Sequence, residues 1–144
     1  MKSVIELDIA APQTKVASLF ADPRHTTDWM DDVARWEPVS GEPGTTGSQY
    51  RLVPKQGDMQ FVATVVSRNL PREVRLRLDA PDVSVSIHTT FAALSSGRSR
   101  LTSEEVFDFH GPIRKVFGLL AWSAIRKAHR RHMEAFQRFA QERG

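Results

Sequence analysis

Glu105 and Tyr50 are the side chains of this sequence whose types and positions best suit acid–base chemistry. Glu105 lies in the segment SRLTSEEVFDF, where it shares parity with Ser103 and Phe107 on the face that we predict to point inward. A carboxyl group that faces an apolar hollow is poorly solvated, so its pKa rises and it can act as a general acid or base. The alternative, which we favour, is structural: Glu105 pairs with an Arg or is solvated at the mouth of the hollow.

His129 and His132, in the segment HRRH, have a spacing that could present two metal ligands on one helical face. The neighbouring Arg and Lys side chains repel a divalent cation, and no carboxylate or Cys follows at a ligand spacing. We therefore predict no metal here and interpret both histidines as polar residues on a solvated helix face. The chain has no cysteine, which excludes disulfides and thiolate nucleophiles. It also lacks a Walker A loop and a Gly-x-Ser-x-Gly nucleophile elbow, and we predict no cofactor.

The basic residues of the chain are concentrated near its C-terminus. The net charge is +3, but the segment from His110 to Gly144 contains eight Lys and Arg against two Glu. The aromatic residues of that segment share its apolar stripe and cannot stack on bases, so we predict no nucleic-acid partner. We interpret the basic residues first as a solvated helix face and second as a transient contact with an anionic membrane surface.

The length of 144 residues fits a single domain, residues 1–144. No apolar run approaches the roughly 20 residues that a membrane span requires. Glu6 and Asp8 interrupt the N-terminal stretch in which a secretory signal needs apolar residues. Together with the absence of cysteine, these features lead us to predict a cytoplasmic protein.

Alternation of apolar and polar residues predicts most of the secondary structure. Ser3 to Ala10 alternates as a half-buried strand, and Pro12 and Pro23 each begin a short helix. The second helix carries Trp29, which is either a core anchor, as we favour, or a ligand contact. A period of two then predicts antiparallel strands near residues 34–39, 48–54, 58–68, 72–79, 82–93 and 98–109.

One long amphipathic helix of about 30 residues is predicted after Gly111. A curved sheet that grips such a helix buries the apolar faces of both, and a hollow remains where the sheet curves away. The two short helices would close one end of this hollow. The stripe that we expect to lie against the sheet comprises Ile113, Val116, Phe117, Leu120, Ala121, Ala124, Ala128, Ala135, Phe136 and Phe139.

Two segments of the chain resemble the START/polyketide cyclase superfamily, also called SRPBCC. The opening IELDIAAPQTKVASLFADPRHTTDWMDDV is similar to the family's first strand and short helices, and SRLTSEEVFDF followed by GPIRKVFGLLAWSAIRKAHRRHMEAFQRF is similar to its last strand and helix. The resemblance implies an α+β helix-grip fold: a curved antiparallel sheet of about seven strands wrapped around a long C-terminal helix, with two short helices after strand 1. Members of this superfamily bind lipids, sterols, quinones or polyketides in a central cavity, and only some are enzymes.

The resemblance and the predicted inward faces together indicate a protein that binds a small hydrophobic or amphipathic molecule, such as a lipid, a polyketide or a quinone. The alternative is a cyclase or dehydratase-type enzyme with Glu105 or Tyr50 as its acid or base, although we favour binding without catalysis. A third hypothesis is an interaction module that uses the basic helix. The identity of the ligand and the oligomeric state do not follow from the sequence. The candidate ligand-binding residues are Trp29, Tyr50, Leu52, Phe61, Ala63, Leu76, Val85, Ile87, Phe91, Ser103, Glu105, Val116, Phe117 and Leu120.

Overall fold

Seven strands and one long helix make up most of the protein. The structure is a computed structural model that describes residues 1–143. The predicted α+β order is confirmed, with a strand, short helices, six more strands and a long helix. The elements are β1 (Lys2–Ile9), α1 (Gln13–Ala21), a 3₁₀ turn (Pro23–His25), α2 (Thr26–Trp29), β2 (Val33–Ser40), β3 (Gln49–Pro54), β4 (Phe61–Asn69), β5 (Glu73–Asp79), β6 (Val83–Ser95), β7 (Arg98–Phe109) and α3 (Pro112–Glu142).

The strands form one open, curved antiparallel sheet in the order β1-β7-β6-β5-β4-β3-β2. Residues directly opposite each other in such a sheet share a face. Ser3 lies opposite Glu105 and Ile5 lies opposite Ser103, so these four side chains belong to the same inner face. Register shifts interrupt the pairing of β2 with β3, of β4 with β5 and of β6 with β7. Such irregularities bend strands and increase their twist, which helps to curve the sheet.

The two short helices pack Trp29 into the core. The Asp22 carboxylate accepts a hydrogen bond of 2.9 Å from the backbone N–H of Arg24 and starts the 3₁₀ turn that leads into α2. Trp29 is only 7% exposed, and its ring lies 5.6 Å from that of Phe20 and 5.2 Å from that of Phe136. It is a core anchor, as predicted.

The C-terminal half of α3 lies against the sheet and the short helices. Met133, Phe136 and Ala140 are buried there in one cluster with Ile5, Leu101 and other residues of β1, α1, α2 and β7. The helix has 31 residues and is therefore about 46 Å long at 1.5 Å per residue. No helix within residues 1–143 is long and apolar enough to cross a membrane.

The N-terminal half of α3 does not bury the stripe that the sequence predicts. Val116 is 57% exposed, Phe117 59% and Leu120 82%, and Ile113 is exposed as well. The helix faces the sheet instead with Gly118 and Trp122, and further along with His129. The prediction was wrong for these turns because their residues are apolar almost all round, so the pattern does not specify which side faces the sheet.

Gly118 explains the side that α3 presents. A Cβ atom at this position would lie 2.6 Å from the ring of Phe109, closer than carbon atoms approach in proteins. One turn later, the Trp122 ring meets the Phe107 ring edge-on at 5.7 Å between centroids. The missing side chain of Gly118 and the large side chain of Trp122 together seat α3 on the end of β7.

We expect Gly118→Ala to reduce stability although alanine is the better helix former. The clash with Phe109 resembles overpacking, which costs about 1–3 kcal/mol, and the gain in helix propensity of about 1 kcal/mol offsets only part of it. Denaturant unfolding measures the difference. Gly97→Ala is the matched control, because the space around Gly97 is open within 4 Å. Equal stability of the two variants would contradict this account of how α3 is seated.

Candidate functional site

An inner cavity of about 90 Å³ lies between the concave face of the sheet, α2 and α3. Its walls are mostly apolar and include Trp29, Trp36, Val65 and Leu76. A second and more open hollow of about 380 Å³ extends toward the loop between β3 and β4. The cavity and the hollow share six lining residues, Met30, Leu52, Leu78, Ile87, Glu105 and His132. They are therefore two parts of one cleft, and Glu105 lies where the two parts meet.

The structure brings together most of the residues that the sequence identifies as candidates. The inner cavity is lined by Trp29, Tyr50, Leu52, Leu76, Ile87, Ser103 and Glu105. The outer hollow is lined by Leu52, Phe61, Val85, Ile87 and Glu105.

Five candidates lie elsewhere. Ala63 is buried against Tyr50 and Val65, and Phe91 is buried in the main core beside Phe20, so both fill space that a ligand cannot enter. Val116, Phe117 and Leu120 point away from the sheet, because Gly118 and Trp122 occupy the side of α3 that faces it. None of the five lines the inner cavity or the outer hollow.

Glu105 is a nearly buried carboxyl group that has no Lys or Arg partner among residues 1–143. Its side chain is 16% exposed, and burial raises its pKa to about 7. Within residues 1–143, no Lys or Arg nitrogen lies within 4.0 Å of its carboxylate, so the expected Arg partner is absent. At neutral pH a large fraction of the Glu105 side chains therefore carries a proton and can donate a hydrogen bond.

His129 is buried beneath the cavity floor and not on a solvated helix face as the sequence led us to expect. Its side chain bridges two strands, with Nδ1 at 2.8 Å from Ser3 Oγ and Nε2 at 2.9 Å from Ser103 Oγ. Burial, followed by repulsion from His132 and Arg130, lowers the pKa of His129 to about 4. A neutral imidazole donates through one nitrogen and accepts through the other, so one serine donates to it and the other accepts from it.

The contact between His129 and Glu105 is not a salt bridge at neutral pH. Nε2 lies 3.5 Å from Glu105 Oε2, beyond hydrogen-bond length, and is already bonded to Ser103. Burial opposes the charge on both groups, which keeps the imidazole neutral and favours the protonated carboxyl. The polar end of the cavity is therefore formed by the hydroxyl group of Ser103 and the carboxyl group of Glu105, with the neutral imidazole of His129 hydrogen-bonded to Ser103 from behind.

Two tryptophans of the cavity wall carry buried indole N–H groups. Trp29 and Trp36 both line the inner cavity, and each has a buried Nε1 with no hydrogen-bond acceptor within residues 1–143. Such a donor costs about 1–3 kcal/mol when it stays unpaired. Sequence reasoning missed Trp36, although a tryptophan within the predicted strand 34–39 was a usable signal. Its ring lies 5.5 Å from that of Tyr50.

Tyr50 has its hydroxyl tied to the loop between β2 and β3. The oxygen accepts a hydrogen bond of 2.5 Å from the backbone N–H of Gly44, while Arg68 donates to the carbonyl oxygen of the same glycine. Gly44 has a φ of 84°, which favours glycine over any residue with a side chain. The loop thus holds Tyr50 in place, and the hydroxyl hydrogen of Tyr50 is left for a second partner.

His132 also lies at the cleft, which sequence reasoning did not predict. Its Nε2 is 2.9 Å from Asp32 Oδ2, and this contact joins α3 to the segment before β2. No three His, Asp or Glu side chains within residues 1–143 are grouped so that they could hold a metal ion.

Comparison with known proteins identifies the family and the fold of the chain. The family model for polyketide cyclase/dehydrase and lipid transport proteins matches residues 2–141. A search of curated proteins returned no match. Many solved structures share the fold.

Three of these structures are from different organisms. The Zhui aromatase/cyclase from Streptomyces sp. R1128 has a TM-score of 0.80 at 16% identity, covering 99% of this chain and 94% of its own. A conserved protein from Geobacillus kaustophilus has a TM-score of 0.79 at 12% identity, covering 99% and 96%. Norcoclaurine synthase from Thalictrum flavum, in complex with dopamine and hydroxybenzaldehyde, has a TM-score of 0.73 at 12% identity, covering 100% and 89%. At these identities the likeness establishes the fold alone.

Replacing Glu105 with Gln should change how stability depends on pH. The pKa of the Glu105 carboxyl rises on folding from 4.5 to about 7, so its ionisation lowers the free energy of unfolding as the pH rises through this interval. The loss is complete above about pH 7 and absent below about pH 4.5. The Glu105→Gln variant should therefore gain up to about 3 kcal/mol over the parent protein at pH 8, and this gain should vanish near pH 4. Unfolding in denaturant across this pH range measures it.

The opposite trend of His129 does not obscure this comparison. Its lowered pKa makes stability rise between about pH 4 and 6.5, but it does so in parent and variant alike. Glu104→Gln is the matched control, because Glu104 is more exposed and faces Lys2 on the outer side of the sheet. A Glu105→Gln protein that is less stable at every pH would show that the carboxylate holds the structure together.

Proposed function

Because the chain belongs to the polyketide cyclase/dehydrase and lipid transport family, we propose that its cleft binds a small hydrophobic or amphipathic molecule. The observation that carries the proposal is the cleft itself, an apolar inner cavity that continues into a wider hollow with one protonatable carboxyl group between them. Sites for small molecules are typically mostly apolar, with a few polar groups that set orientation.

The sizes of the two parts suggest how such a molecule lies. About 90 Å³ is less than the 300–1,000 Å³ of most ligand sites, whereas the outer hollow of about 380 Å³ falls within that range. The ligand therefore places a narrow apolar part between Trp29 and Leu76 and extends past Glu105 into the hollow lined by Phe61 and Val85. This arrangement favours an elongated or flat molecule.

The donors at the cleft favour a ligand that carries oxygen acceptors. Within residues 1–143 the indole N–H groups of Trp29 and Trp36 have no acceptor, and a protonated Glu105 is a further donor where the cavity meets the hollow. A carbonyl, quinone or hydroxyl oxygen can accept from such groups, and a pure hydrocarbon cannot. Lipids, polyketides and quinones with such oxygens fit this requirement.

The second candidate function is that of a cyclase or dehydratase-type enzyme. It is favoured by the position of Glu105, a nearly buried carboxyl group where the cavity meets the hollow, whose pKa, raised by burial to about 7, suits proton transfer near neutral pH. Glu105 would protonate a carbonyl or leaving hydroxyl oxygen of the substrate, and Ser103, hydrogen-bonded to His129, would orient it. Tyr50, whose hydroxyl hydrogen is left for a second partner, is the other candidate acid.

Cellular location and other partners stay predictions. The cytoplasmic location rests on the composition and the N-terminal sequence. The prediction of no nucleic-acid partner assumed that the aromatic residues of α3 are buried, which holds for Phe136 but not for Phe117, which is 59% exposed.

We expect an environment-sensitive dye such as anilinonaphthalene sulfonate to bind the native protein at a saturable site in the cleft. A naphthoquinone or a long-chain fatty acid should displace it. Leu78→Trp adds a bulky side chain at the junction of cavity and hollow, so it should weaken dye binding by at least about tenfold. Leu94→Trp is the control, because Leu94 is exposed at the end of β6. Equal dye binding by both variants would contradict a ligand site in the cleft.

Trp36→Phe separates the acceptor hypothesis from simple apolar filling. This change keeps an aromatic ring and removes the indole N–H, so it should weaken binding of the quinone and leave binding of an alkane-like probe unchanged. Equal losses for both probes would favour a merely apolar cleft.

Glu105→Gln distinguishes the two candidate functions. In a binding protein the affinity for the dye and the quinone should shift only modestly. In an enzyme with Glu105 as its acid, turnover should fall by about 100-fold or more. Mass spectrometry of the natively purified protein would identify a co-purified molecule to use in both assays.

A further inference from the structure

The first turns of α3 expose five large apolar side chains. Ile113, Val116, Phe117, Leu119 and Leu120 are between 57% and 82% exposed. We call these five residues the α3 apolar surface. Contiguous apolar surface of this kind on a protein marks contact with another protein or with a membrane.

The α3 apolar surface cannot turn inward to join the core. Rotation of these turns would remove Gly118 from the Phe109 ring and Trp122 from the Phe107 ring. A side chain larger than glycine cannot occupy the place of Gly118, since even a Cβ atom there would lie 2.6 Å from Phe109. The exposure is therefore a consequence of how the helix is seated.

Basic residues lie within this surface and along the turns of α3 that follow it. The segment from Pro112 to His132 contains six Lys and Arg and no Asp or Glu. Arg114 is paired with Asp82 and Arg131 with Asp32. Lys115, Arg126, Lys127 and Arg130 are exposed, and within residues 1–143 no carboxylate lies within 4.0 Å of any of them. This end of α3 therefore favours an anionic partner.

We propose that the α3 apolar surface docks on an anionic lipid bilayer. Helices that lie in a membrane interface combine large apolar side chains with surrounding Lys and Arg, which attract anionic headgroups. A second copy of the chain fits less well, because a symmetric contact through this surface would bring the unpaired basic residues of both copies together. The proposal is independent of what occupies the cleft.

Co-sedimentation with vesicles tests the proposal. The full chain should bind vesicles of phosphatidylcholine mixed with phosphatidylserine and should bind pure phosphatidylcholine vesicles much more weakly. Added salt should weaken the binding further. Failure to bind the anionic vesicles, or equal binding to both kinds, would overturn the proposal.

Two pairs of variants assign the binding to α3. Phe117→Ser with Leu120→Ser should reduce binding to anionic vesicles at least about tenfold, while Val39→Ser with Val66→Ser, an equally polar change at other exposed positions, should not. Arg126→Glu with Lys127→Glu should also reduce it, and the charge-matched control, Arg51→Glu with Arg72→Glu, should reduce it much less.

Folding and oligomeric state complete the test. All of the substituted positions are exposed, so each variant should melt within a few degrees of the parent protein. Sedimentation velocity should give the same mass for the parent and for Phe117→Ser with Leu120→Ser. A parent dimer that dissociates in this variant would show that the surface joins two copies and would overturn membrane docking.

Discussion

The contact of Phe136 with Trp29 and Phe20 is the packing interaction on which the rest of the molecule depends. Phe136 is fully buried, and its ring lies within 5.2 Å of both aromatic partners, one on α1 and one on α2. This contact joins the C-terminal half of α3 to the short helices that close the cleft. It also sets the rotation of α3, because a rigid helix that buries Phe136 must present His129, two turns earlier, to β1 and β7.

Burial of His129 and Glu105 changes the protonation of both side chains near neutral pH. Each group would be charged in water over part of the neutral range, but desolvation shifts their pKa values toward each other's usual range, to about 4 and about 7. The imidazole then acts as a neutral link between Ser3 and Ser103. The carboxyl becomes a hydrogen-bond donor in an apolar cleft, which suits an oxygen-bearing ligand and, equally, proton transfer to one.

How much of this follows from the sequence depends on the pattern of each element. The strands were predictable because strict alternation of apolar and polar residues, as in Val74, Leu76 and Leu78, determines which residues face the core when the other face of the sheet is solvated. The same alternation placed Ser103 and Glu105 on the inner face. The rotation of α3 was not predictable, because residues 113–120 are apolar on most sides and the contacts that select one side, such as those of Gly118 with Phe109 and of Phe136 with Trp29, join residues far apart in the sequence. His129 was missed because its basic neighbours suggested a solvated helix face.

The same rotation of α3 produces both the cleft chemistry and the exposed apolar surface. Turning the helix to bury Phe117 and Leu120 would carry His129 away from Ser3 and Ser103. All three residues belong to one rigid helix, so they rotate together about its axis. Phe107 connects the two ends of this arrangement, since its ring lines the outer hollow and packs against Trp122. A sequence that needed only a stable helix could place polar residues at the outer positions without disturbing the core. Their apolar character at a place where folding does not require it is the reason to look for a partner there.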